Sequence, residues 1–111
     1  MYSSHSPRLN RANLLLRDQL RAAMDVADAM AGRGYTLLSA HAAPDRGAPV
    51  VTLEPCPALD AEAEMGGGWW HLDATGGWWG RQLMTSGKVA VSVEWQRYAA
   101  TQYQRAVTAR S

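Results

Sequence analysis

The chain has 111 residues, of which 47% are hydrophobic and 19% charged, and its net charge is +1. That length suits one domain and is short for two, and the apolar share excludes wholesale disorder. The charge raises no overall field toward nucleic acid or anionic lipid, no apolar run approaches the roughly 18–20 residues of a membrane span, and the single cysteine, Cys56, excludes an intrachain disulfide.

Residues 1–10 carry no apolar segment behind a basic one, so no secretory signal is expected, and the lone thiol fits a reducing cytoplasm. Residues 1–6 are polar and expected to be loose. Ser6-Pro7 is a helix-start signal, with Ser as N-cap and Pro in the first turn. Leu9, Ala12, Leu16, Leu20, Ala23, Ala27 and Met30 then recur at spacings of three and four, one apolar stripe of an amphipathic helix. Arg11, Arg17, Asp18, Arg21, Asp25 and Asp28 lie off that stripe. Gly32 and Gly34 supply the stop. The pattern predicts a helix over about 7–32.

Residues 35–42 form the first strand candidate, Pro44 to Gly47 a turn, and Pro49 to Glu54 the second strand of a hairpin. Residues 56–68 are an acidic connector carrying Asp60, Glu62 and Glu64. One or two helical turns fit between Ala58 and Met65 before three glycines end them. Residues 66–95 then carry two Trp pairs, Trp69–Trp70 and Trp78–Trp79, around a Thr75-Gly76-Gly77 turn. A second turn signal, Thr85-Ser86-Gly87, leads into a run where Val89, Val91, Val93 and Trp95 alternate with Lys88, Ala90, Ser92 and Glu94. Alternation of period two gives one buried and one wet face, and the turn spacing predicts a three-stranded antiparallel meander. After Trp95 a short helix is allowed, with fraying expected over about 104–111.

These elements predict a single α+β domain over 1–111: an N-terminal amphipathic helix packed on an antiparallel sheet of about five short strands, a hairpin plus a meander. Adjacent residues on a strand point to opposite faces. One Trp of each pair must therefore look away from the helix, and two layers bury only one sheet face. An exposed aromatic patch follows, and such patches mark contact surfaces. A partner-binding surface built from Trp69, Trp70, Trp78, Trp79 and Arg81 is the leading expectation, with a protein partner favoured because Trp and Arg dominate binding hot spots. Cover by the C-terminal segment or by a second copy in a homodimer is the alternative.

Other residues invite chemistry. Arg8, Arg11, Arg17 and Arg21 place positive charge at a helix N-terminus, against the macrodipole. Phosphate contacts there, with Trp stacking on bases, would make a nucleic-acid binder. His71 and Asp73 stand two apart on one strand, and with His41, Cys56 or Glu64 would suit a general-base pair or a metal. No CxxC, HxxxH or HExxH spacing accompanies them, so neither catalytic residues, a metal nor a cofactor is expected. The glycine clusters lack the Lys-Ser/Thr of a phosphate loop. Cys56, between two prolines in acidic surroundings, lacks the basic neighbours of a reactive thiol. The acidic connector could meet a basic protein surface.

The order of features resembles small proteins of tailed temperate phages and prophages, in which an N-terminal helix runs into Gly-aromatic and a strand, then a turn, then a Val-rich strand ending in Trp. The matching pieces are Gly34-Tyr35-Thr36-Leu37, residues 48–53 (Ala-Pro-Val-Val-Thr-Leu) and residues 87–95 (Gly-Lys-Val-Ala-Val-Ser-Val-Glu-Trp). The likeness spans about residues 14–95, and the doubled-Trp segment 66–80 departs from it. It carries no activity and no functional residue. It implies a phage accessory protein working in a bacterial cytoplasm on a host or phage protein.

Overall fold

In the computed structural model, residues 10–99 are described. Helix α1 (Arg11–Gly32) is followed by strand β1 (Leu37–His41), a 3-10 turn (Pro44–Arg46), strand β2 (Val50–Leu53), helix α2 (Pro57–Glu62), a wider turn (Ala63–Gly67), and strands β3 (Trp69–Leu72), β4 (Trp78–Ser86) and β5 (Val89–Gln96). The expected α+β class holds. Arg8, Leu9, the Ser6-Pro7 signal, and the C-terminal helix and fraying expected near the end lie outside the described residues, apart from one helical turn begun at Tyr98–Ala99.

The cap of α1 is Asn10, whose Oδ1 accepts the Ala12 amide at 2.8 Å, so the helix starts later than Ser6-Pro7 suggested. At the other end Gly34 adopts φ of 94°, Tyr35 N donates to Met30 O and Gly34 N to Ala31 O. This is a Schellman closure, and Gly34 takes the left-handed position that a side chain resists.

All five strands form one sheet in the order β1-β2-β5-β4-β3. The hairpin (β1·β2) and the meander (β3·β4·β5) are antiparallel as expected. They join through β2 and β5, which run parallel, so the sheet is mixed and not wholly antiparallel. A parallel pair needs a long crossover, and here α2 and the first two meander strands supply it. The β4–β5 turn is tighter than expected: Ser86 pairs with Val89 and only Gly87-Lys88 lies between. Gly87 has φ of 60° while Lys88 has none in the positive range, the signature of a type II′ hairpin.

Register defines the two sheet faces. On the inner face Leu53, Trp95, Gly80 and Trp70 lie in one row, and Val51, Val93 and Gln82 in the next. Helix α1 covers these rows with Ala22, Ala23, Val26, Ala27 and Met30, and Leu59 of α2 closes the end. Trp95 is fully buried. An indole removes roughly 150–250 Å² from water, worth about 4–6 kcal/mol at about 25 cal/mol per Å², so it anchors the core. Asp60 of α2 meets its polar edge, accepting Trp95 Nε1 and the amides of Tyr98 and Ala99, each at 3.2 Å.

The stripe of α1 is buried only in its second half. Ala23, Ala27 and Met30 are covered, whereas Ala12, Leu16 and Leu20 are exposed. Gln19, at the boundary, uses its Oε1 to accept Ala43 N at 2.8 Å, just past the end of β1.

Candidate functional site

The outer face of the sheet has no helix among the described residues. Its central row runs Trp69 (β3), Arg81 (β4), Glu94 (β5), Thr52 (β2) and Ser39 (β1). The row toward the β4–β5 turn holds Leu83, Ser92, Val50 and His41, and the opposite row holds His71, Trp79 and Gln96.

Arg81 is the centre of this surface. Its Nε donates to Ser92 Oγ at 2.8 Å, and the Ser92 hydroxyl donates to Glu94 Oε2 at 2.8 Å. The guanidinium carbon sits 5.5 Å from the Trp69 ring centroid, within cation–π range. Glu94 Oε2 itself lies 3.9 Å from Arg81 Nε. Ser92 is only 1% exposed, although it points to the open face, because Arg81 and Glu94 close over it. The alternation of β5 therefore buries Ser92 by polar contact where it buries Val91 and Val93 by packing. A hollow of about 310 Å³ opens beside the pair, lined by Arg46, Ala48, Val50, Arg81, Ser92 and Glu94.

The Trp pairs divide as alternation requires: Trp69 and Trp79 face outward, Trp70 and Trp78 inward. Exposure does not simply follow. Trp69 is 44% exposed and Trp78 40%, although Trp78 lies on the inner face, past the reach of α1 beside exposed Leu72. Trp70 meets Trp95 edge-on, with centroids 6.3 Å apart, and carries Arg97 over its ring at 4.9 Å. Trp79 is half-buried and donates its indole N–H to Asp73 Oδ2 at 2.8 Å. Of the expected contact residues, Trp69 and Arg81 come together on the open face, Trp79 flanks them, and Trp70 belongs to the core.

Asp73 is a turn residue. Its Oδ1 accepts Thr75 N, Thr75 Oγ1 and Gly77 N, at 2.8, 2.7 and 2.8 Å. The hydroxyl and amide donors, with the Trp79 indole, hold its carboxyl far below the usual carboxylate range. Such an acid is a poor proton acceptor, and both its oxygens are engaged before His71 is considered. No three His, Cys, Asp or Glu side chains group as a metal site among the described residues, so His41, Cys56 and Glu64 do not join His71 and Asp73.

The acidic connector also turns inward. Glu62 accepts from Arg33 at 2.6 Å and from the Tyr35 hydroxyl at 3.3 Å, Glu64 stands 3.9 Å from Arg97, and Asp60 is buried. Its carboxylates tie α2 to the domain. Arg11, Arg17 and Arg21 are exposed on α1, which packs on the inner face, so they share no surface with Trp69, Trp79 and Arg81. Ser92 and Glu94 escaped the sequence reading, where alternation marked them only as wet positions. A Ser and a Glu two apart on a strand opposite an Arg was the available signal.

Compared with known proteins, the chain matches no family model, no curated protein and no solved structure. Among the described residues no helix is long and apolar enough to cross a membrane.

Proposed function

We propose that this protein is a non-enzymatic binding module that docks a protein partner on the outer face of its sheet, with Trp69 and Arg81 at the centre of the contact. One observation carries the proposal. An exposed indole lies under a guanidinium that Ser92 and Glu94 already hold in place, on a face without a second layer among the described residues. Trp and Arg are the residues whose truncation most often costs binding energy, and ordering them beforehand lowers the entropic cost of association. In the phage setting implied by the resemblance, the partner is a host or phage protein.

The test is affinity capture from host lysate with the wild-type chain, repeated with Trp69→Ala and Arg81→Ala. A partner held through this face is lost or weakened by about thirtyfold or more, the scale of a hot-spot truncation. Hydrogen exchange on the recovered complex then shows protection in β3, β4 and β5. Retention of every captured protein by both variants, or protection confined to α1, would sink the proposal.

A further inference from the structure

We infer that the hollow beside Arg81 receives a carboxylate, so that the partner presents an Asp, a Glu or a chain terminus to the Arg46–Arg81 pair. The inference rests on the docking proposal above and adds the chemistry of the docked group.

Arg81 is held on two of its sides. Its Nε edge is taken by the Ser92 hydroxyl, which passes a hydrogen bond on to Glu94, and one face stacks on Trp69. Neither of its Nη groups reaches an acceptor among the described residues. The remaining edge is a planar fork of N–H donors, the geometry that matches a carboxylate with two parallel hydrogen bonds. Ser92 matters because it draws Glu94 to the Nε side. With the Glu94 carboxylate across the Nη fork, Arg81 would be satisfied within the chain.

Arg46 lines the same hollow from the 3-10 turn and has no ion pair among the described residues. Two guanidinium groups against one carboxylate leave the hollow with one formal positive charge in excess. That excess suits a single negative charge. A phosphomonoester, with nearly two, would meet Glu94 at close range, and for the singly charged phosphodiesters of a nucleic-acid backbone the α1 arginines that would help hold them sit on the opposite side. Val50 and Ala48 form the apolar wall, so an acidic residue flanked by an aliphatic one fits the lining.

The probe is N-acetyl-Leu-Glu-Leu-amide, titrated into the intact protein while the Arg81 side-chain and Trp69 indole NMR signals are followed. The glutamine counterpart is run in parallel. The inference expects saturable shifts of both signals with the glutamate peptide, binding at least tenfold weaker with glutamine, and at least tenfold weakening in Arg81→Lys. Arg46→Gln weakens the glutamate peptide and leaves the glutamine one unchanged. Circular dichroism checks that each variant folds. Equal shifts from both peptides would overturn the carboxylate while leaving the docking face standing. Absence of saturable shifts at Arg81 would overturn it too, and the capture experiment then judges the docking proposal separately. Preference of the same arginines for inorganic phosphate or oligothymidine over the glutamate peptide would replace the carboxylate with a phosphate-bearing partner.

Discussion

The indole of Trp95 covers Gly80, its cross-strand partner on β4, so closely that a methyl group on Gly80 would overlap the ring. Intrinsic propensity favours alanine over glycine in a strand by only about 0.5–1 kcal/mol. Forcing volume into a packed core costs about 1–3 kcal/mol. The clash therefore wins, and Gly80→Ala is expected to destabilise the protein. In urea titrations its midpoint falls while the slope is unchanged.

The inner-face anchor Trp95 should separate sharply from the outer-face indole Trp69. Trp95→Ala removes a fully buried ring and is expected to cost about 3–5 kcal/mol, enough to unfold a domain of ordinary stability. Trp69→Ala removes an exposed ring and one cation–π contact, so its cost should stay near about 1 kcal/mol. Chemical denaturation of both variants measures the contrast. A Trp69 variant as damaged as the Trp95 one would show that this ring belongs to the core.

Asp60 accepts three N–H donors with one carboxylate in a nearly buried position. Asp60→Ala leaves all three without that acceptor and should cost about 2 kcal/mol or more. The Trp95 indole N–H should also become faster to exchange with solvent, which NMR detects at that one resonance.

The Asp73 turn gives a pH signature. Its carboxyl is depressed in the folded chain, so the stabilising contribution is complete above the ordinary carboxylate range, about pH 4, and is lost progressively as pH falls from there through the lower folded value. The Trp79 indole N–H resonance should accordingly hold its position down through pH 4 and move at more acidic values. Asp73→Asn should lower stability at pH 7, and the gap to wild type should close in strong acid.

Much of this was legible in residue patterns. The valines of β5 alternate so regularly that their burial is plain, and Gly34 marks the end of α1. The first half of the α1 stripe misled for a physical reason. Ala12, Leu16 and Leu20 repeat with the right spacing, but burial depends on what lies beneath each position, and all three are exposed. The parallel β2–β5 pair was hidden because alternation looks the same in either direction. His71 and Asp73 share the spacing of a catalytic pair, and only the loop geometry reveals that Thr75, Gly77 and Trp79 have claimed the acid. Alternation also required one outward indole in each Trp pair without saying which, and it could not reveal the hydroxyl that holds Arg81, since a buried serine and an exposed one read alike.

The pairing of β2 with β5 sets an order of events during synthesis. Val51 finds its neighbour Val93 only after forty-two further residues have been made, and the rows that α1 covers are incomplete until then. A nascent chain halted short of Val93 would hold a helix with its oily side bare and a hairpin with one edge open. The domain must therefore close late, after Val93 has been made, and chaperones have long access to α1, which precedes every strand of the sheet.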